Sequence, residues 1–83
     1  MLFRSAYDQG EGVKLDKFKA VEFYTKACEL RFGLGCVSLG FAYERGVGVK
    51  LDKRRALELY GEACDLKAEQ GCKNYAILKN QGF

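Results

Sequence analysis

The four cysteines are the residues of this chain whose spacing most clearly indicates chemistry. Cys28 and Cys36 lie eight positions apart, and Cys64 and Cys72 repeat the same spacing. A thiol can form a disulfide, ligate a metal ion or act as a nucleophile. Three pairings are available to four cysteines, and the repeated spacing favours the disulfides Cys28–Cys36 and Cys64–Cys72. Each would stabilise the fold by about 2–3 kcal/mol in the chain-entropy model and would indicate an oxidising compartment.

Two other states of the cysteines stay open at this point. All four thiols could be reduced and buried as small apolar side chains. A zinc site shared by both pairs is the other alternative. It is disfavoured by a ligand spacing wider than the usual gap of two to four residues and by the separation of about 8–10 Å between packed helices.

The polar residues offer little for catalysis. Histidine, the commonest general base, is absent. A serine β-lactamase needs Ser-x-x-Lys, but Ser5 is followed three residues later by Asp8, and Ser38 by Phe41. We therefore predict no catalytic residue, no metal site and no cofactor.

A repeat of 36 residues organises the chain. Residues 12–17 and residues 48–53 both read Gly-Val-Lys-Leu-Asp-Lys, and many later positions match at the same offset without a gap. Such self-similarity is typical of repeat arrays. We predict one repeat domain over residues 1–83, in which residues 12–47 and 48–83 are full repeats and residues 1–11 form the second helix of a partial repeat.

Each repeat is predicted to be a pair of helices. First helices are expected over residues 16–31 and 52–67, with Asp16 and Asp52 as N-caps, and second helices over residues 34–45 and 69–80. Short links make paired helices antiparallel, and stacked hairpins form a solenoid. The fold class is therefore all-α, an α-solenoid of antiparallel helix hairpins with one disulfide in each full repeat.

Glycines are expected to end the second helices. Gly10, Gly46 and Gly82 occupy the position where a left-handed residue stops a helix. A phosphate-binding interpretation of residues 10–12 and 46–48 is weaker, because no strand precedes these segments and no Lys-Ser/Thr follows them.

Apolar residues at helical spacing predict the inward faces. Gly40 and Ala76 are small residues on the second helices and are expected to let a neighbouring backbone approach closely. Phe23 and Leu59 are interpreted as core residues, with groove anchors as the alternative. The remaining predicted inward residues are Ala20, Val21, Tyr24, Ala27, Cys28, Cys36, Leu39, Tyr43, Ala56, Leu57, Tyr60, Ala63, Cys64, Cys72 and Tyr75.

Composition and charge restrict the partner classes. The chain has 83 residues, is 48% hydrophobic and carries a net charge of +3, which is too small to indicate nucleic acid. No run of about 18 apolar residues predicts a membrane span. The first residues lack the apolar region of a signal peptide, so an exported parent protein would carry its leader outside this chain.

Positions that differ between the two repeats are candidates for partner recognition, because first helices line the concave side of such solenoids. Phe18 is replaced by Arg54, Thr25 by a glycine, and Lys26 by Glu62. The alternative is a solvated face that varies freely. The predicted partner-binding residues are Phe18, Thr25, Lys26, Arg54 and Glu62.

The combined pattern resembles a known family. Gly-x-Gly-Val, an Asp N-cap, Ala-x-x-Tyr-x-x-Ala and Leu-Gly-x-x-Tyr resemble the Sel1-like repeat, a relative of the tetratricopeptide repeat. The added Cys-x7-Cys pairs, at positions 28–36 and 64–72, are similar to those of the Helicobacter cysteine-rich protein family. Arg4 departs from this pattern, since it stands where Gly40 and Ala76 are expected.

The resemblance implies two functions. One is an exported, disulfide-bridged scaffold, secreted or periplasmic, that binds a protein or peptide in a concave groove. The alternative is a weak β-lactamase or penicillin-binding activity toward a β-lactam or a peptidoglycan-related ligand. The sequence itself favours the scaffold, because it contains no recognisable catalytic motif.

Overall fold

The structure, a computed structural model, describes residues 16–82. This part of the chain forms helical hairpins. Within this range there are four helices and no strand: α1 (Lys17–Glu29), α2 (Gly33–Arg45), α3 (Lys53–Asp65) and α4 (Glu69–Asn80). Helices α1 and α2 form one hairpin, and α3 and α4 form the next. The all-α hairpin architecture is confirmed. The predicted helix of residues 1–11, Arg4, Gly10 and the link at residues 10–15 lie outside the described residues.

The starts of the first helices follow from their aspartates. The Asp16 carboxylate accepts hydrogen bonds of 3.1 Å from the backbone N–H groups of Phe18 and Lys19. Asp52 accepts one of 3.0 Å from the backbone N–H of Arg55. These bonds satisfy N–H groups that have no partner inside a helix, and the predicted N-caps are confirmed.

The first helices end earlier than predicted, at Glu29 and Asp65 instead of at residues 31 and 67. Arg31 and Lys67 instead adopt left-handed backbone conformations, each with φ of 70°. The N–H groups of the residues that follow them donate back to the carbonyls of Ala27 and Ala63, at 3.0 and 2.9 Å. This is the Schellman arrangement, usually made with glycine, and here it reverses the chain into the second helix.

Glycines end the second helices as predicted. Gly46 is left-handed, with φ of 68°, and Gly82 has φ of 96°. Gly48 also has positive φ, and a Cβ there would lie 2.7 Å from the carbonyl oxygen of Lys17. The link at residues 46–52 therefore packs closely against α1, which fully accounts for its glycines without a phosphate ligand.

The core lies where α2 packs between α1 and α3, and where α3 packs on α4. Gly40 confirms its predicted role, because a Cβ at this position would approach the Tyr60 ring to 2.8 Å. Leu59 is 1% exposed and belongs to this core. The buried apolar residues are Cys28, Cys36, Leu39, Ala42, Ala56, Leu57, Leu59, Tyr60, Ala63 and Leu78.

Two core assignments were wrong. Ala76 is exposed. The corresponding face of α2 is covered by α3, but no described helix covers this face of α4. Leu78 is 1% exposed and packs with Ala56 and Tyr60 instead. Phe23 is 68% exposed, since α2 is the only described helix in close backbone contact with α1.

Candidate partner-binding surface

Each hairpin is closed by its own disulfide. Cys28 is bonded to Cys36, and Cys64 to Cys72, with a Cα–Cα distance of 4.5 Å in both pairs. Each bond joins the last turn of a first helix to the first turn of the second helix. The predicted pairing is confirmed, and the reduced and zinc-bound alternatives are overturned, because no described cysteine is free.

A glycine before the second cysteine permits this close approach. A Cβ on Gly35 would lie 2.5 Å from the Cβ of Ala27, and a Cβ on Gly71 would lie 2.5 Å from the Cβ of Ala63. Any other residue would push the helix ends apart. The recurrence of a glycine directly before the second cysteine of each pair is the sequence signal for this close approach.

An open groove lies between α3 and α4. Its volume is about 620 Å³. The α3 contribution comes from positions spaced by three and four residues, which share one face of a helix, and Tyr75 closes the groove from α4. The lining residues are Leu57, Glu58, Gly61, Glu62, Cys64, Asp65 and Tyr75. We call this surface the α3–α4 groove.

The Gly61–Tyr75 pair shapes the α3–α4 groove. A Cβ on Gly61 would lie 3.2 Å from Cε1 of the Tyr75 ring, so the ring packs directly over the glycine. In the first hairpin the corresponding residues are Thr25 and Leu39. In the second hairpin the larger side chain on the second helix is therefore matched by a smaller residue on the first helix. This compensation in size was not predicted from the sequence.

Carboxylates dominate the charge of the groove. Glu58, Glu62 and Asp65 line it, and no lysine or arginine does so among the described residues. Arg55 forms an exposed ion pair of 3.0 Å with Glu58. Neither Glu62 nor Asp65 has an ion pair within residues 16–82, so these two carboxylates are unpaired in the described structure.

A smaller cleft, of about 130 Å³, separates α1 from α3. Thr25 and Glu62 both line it, so the structure brings these two predicted residues together. The Thr25 hydroxyl donates a 2.7 Å hydrogen bond to the carbonyl of Val21. A Glu62 carboxylate oxygen and the Cys28 and Cys36 sulfurs lie within 4.8 Å of one another. Because both sulfurs are joined in a disulfide, neither is available as a thiolate ligand.

The other predicted partner-binding residues are dispersed. Phe18 is 72% exposed in the first turn of α1, and Lys26 and Arg54 are exposed on α1 and α3. None of these three lines a cavity described here. Glu62 is the one member of the predicted set that the described structure places in the α3–α4 groove.

Ser38 lies in a separate pocket of about 390 Å³, on the side formed by the second helices. Its neighbours in the lining include Tyr24, Phe41 and Asn74, and no lysine or carboxylate lines this pocket within residues 16–82. Ser5 lies outside the described residues. The β-lactam activity implied by resemblance gains no support from these contacts and stays a prediction.

The comparison with protein families gives one match. The model of the Sel1 repeat matches residues 1–32 and again residues 33–67. The second matched unit contains α2 and α3, so its limits fall at the turns of the two hairpins. No curated protein and no solved structure matches the chain significantly.

Proposed function

The chain belongs to the Sel1 repeat family, and on that premise we propose that it is an exported, disulfide-stabilised helical scaffold that binds a protein or peptide partner. Sel1 repeats generally mediate protein interactions. The observation that carries the proposal is the α3–α4 groove, which combines apolar and charged side chains in one open surface. Such a mixture suits recognition of a polypeptide segment.

The location of the groove supports this function. Two of its residues, Gly61 and Glu62, stand where the first repeat has Thr25 and Lys26. The caps, the turns and the cysteines around them are repeated almost unchanged. Variation on a constant framework is how repeat proteins obtain different binding surfaces from one architecture.

The disulfides support it by holding the groove in shape. Cys64 lines the groove and is bonded to Cys72 at the start of α4. The bond thus fixes the position of α4 relative to α3 at one end of the surface. A preorganised surface loses less conformational entropy on binding.

Export is the second part of the proposal. Disulfides persist in oxidising compartments, and both pairs here are bonded. This supports a secreted or periplasmic location. None of the helices within residues 16–82 is long and apolar enough to cross a membrane.

A peptide-display selection tests partner binding. The oxidised chain would be immobilised and used to select from random dodecapeptides. Enriched peptides would be measured against Gly61→Thr, which fills the groove with the residue of the first repeat, and against Ala76→Thr, a control at an exposed position of α4 that does not line the groove. We expect binding to fall at least tenfold in Gly61→Thr and to stay within twofold in Ala76→Thr. No enrichment, or equal binding to both variants, would contradict the proposed function.

A further inference from the structure

We infer that the α3–α4 groove selects a basic segment of its partner, seating a lysine or arginine side chain between Leu57 and Tyr75 on one side and the α3 carboxylates on the other. The inference rests on the proposed function and specifies the partner's chemistry. It follows from the shape of the groove and from its charge, which are independent of each other.

The apolar part of the groove fits the stem of such a side chain. Leu57 is only 9% exposed and forms part of the floor with the backbone of Gly61. Lysine and arginine bury their methylene stems on apolar surface while the charged group stays in water. The Tyr75 ring offers a further contact, since aromatic faces attract cations. Lys79 already lies with its Nζ 6.0 Å from the centroid of this ring.

The charged part of the groove fits the head group. Glu58 and Asp65 lie along the exposed face of α3, and Glu62 stands between them at the edge of the groove, with a carboxylate oxygen within 4.8 Å of the Cys28 and Cys36 sulfurs. The net charge of the whole chain is +3. In the first hairpin the corresponding surface is covered by Arg55, Leu59 and Glu62 of α3, which leaves only the small α1–α3 cleft. A basic ligand would therefore distinguish the second hairpin from the first.

The spread of the carboxylates favours a polypeptide cation over a metal ion. Within residues 16–82, Glu58, Glu62 and Asp65 do not form a group of three carboxylates whose oxygens all lie within 4.8 Å of one another. A compact divalent cation needs ligands that converge at about 2.0–2.6 Å from it. An extended ammonium or guanidinium group can instead contact carboxylates that are spaced along a helix.

Labelled peptides of opposite charge test the inference. The probes are two fluorescein-labelled nonapeptides, one with three Lys-Leu-Gly units and one with three Glu-Leu-Gly units. Binding to the oxidised chain would be followed by fluorescence anisotropy, and the site mapped by amide chemical shifts. We expect saturable binding of the lysine peptide only, with the largest shifts at Gly61 and Tyr75.

Charge reversal provides the matched variants. Glu62→Lys places the first repeat's residue in the groove, and Glu22→Lys makes the same change on α1 at a position that lines none of the cavities described here. Binding of the lysine peptide should weaken at least fivefold in Glu62→Lys and less than twofold in Glu22→Lys. Equal weakening in the two variants would overturn the inference.

The remaining outcomes separate this inference from the proposed function. If the glutamate peptide shifts Gly61 and Tyr75 as strongly as the lysine peptide, the groove binds peptides without selecting positive charge, and only the inference fails. If neither probe perturbs the groove, the inference also fails. The display selection then decides independently whether the groove binds polypeptides at all.

Discussion

The Tyr60 hydroxyl donates a 2.7 Å hydrogen bond to the Glu44 carboxylate, which links the first helix of one hairpin to the second helix of the hairpin before it. Tyr60 is fully buried, and its ring lies against Gly40. The interface between the hairpins thus combines close packing with one charge-assisted hydrogen bond. Both depend on a glycine that leaves room for the ring.

Tyr60→Phe should weaken the interface while preserving its packing. A hydrogen bond to a charged group contributes about 1.5–3 kcal/mol, and because Glu44 is only half-buried we expect a loss of about 1–2 kcal/mol. Urea unfolding with the disulfides intact measures this change. Tyr43→Phe is the control, since its hydroxyl has no hydrogen-bond partner within residues 16–82. Equal losses in the two variants would show that the Glu44 bond contributes nothing specific.

The same contact predicts a dependence on alkaline pH. Burial, followed by the bond to Glu44, raises the pKa of Tyr60 well above its usual value. The folded state therefore holds this proton more tightly than the unfolded state, and its contribution is complete below about pH 10, the pKa of an unfolded tyrosine. Stability should fall as the pH rises above that value. In Tyr60→Phe this fall should be shallower than in the wild type.

Lys67→Gly should stabilise the chain. Lys67 has φ of 70°, a conformation that costs an ordinary residue about 1–2 kcal/mol and glycine almost nothing. After allowing for the greater freedom of glycine in the unfolded chain, we expect a gain of about 0.5–1 kcal/mol. Lys73→Gly, a matched change at an exposed site inside α4, should instead cost about 1 kcal/mol. A loss of thermal stability in Lys67→Gly would contradict the strained turn.

The two disulfides should be reduced in a fixed order. Cys28 and Cys36 are 6% and 0% exposed, whereas Cys64 and Cys72 are half-buried. A thiolate must reach the sulfur that it attacks, and the sulfurs of Cys28–Cys36 are the less accessible ones. Limiting dithiothreitol followed by alkylation should therefore label Cys64 and Cys72 first. Earlier labelling of Cys28 and Cys36 would be evidence against this order.

The Gly61–Tyr75 pair should behave as a unit. Gly61→Thr crowds the Tyr75 ring, and overpacking of this kind costs about 1–3 kcal/mol. Adding Tyr75→Leu recreates the Thr25–Leu39 combination of the first hairpin and should recover most of that loss. A double-mutant cycle measured by thermal unfolding gives the coupling energy. Additive effects would show that the ring and the glycine do not depend on each other.

Features that depend on residues close together in the sequence were predicted accurately. The caps at Asp16 and Asp52, the left-handed Gly46 and the cysteine pairs involve residues within eight positions of one another, so spacing was sufficient to predict them. The ends of the first helices were misplaced because Arg31 adopts a conformation that the sequence would assign to glycine.

Features that depend on neighbouring helices were predicted less well. The rotation of α4 decides that Leu78 is buried and Ala76 exposed, and this rotation is set by packing against α3. The α3–α4 groove arises from a residue on each helix, Gly61 and Tyr75. Its only sequence signal was a compensating change in size relative to the first repeat.

The pairing of the cysteines in protein from its native source is the most direct test of a fold in which each hairpin is closed by its own disulfide. Thiols would be blocked at lysis and the unreduced chain digested with trypsin, which cleaves after Arg31 and Lys67 and so separates the two halves of each hairpin. Pairing within each hairpin gives linked peptides 27–31 with 32–45 and 56–67 with 68–73, without blocked cysteine. Blocked thiols, or a peptide that joins one hairpin to the other, would contradict it.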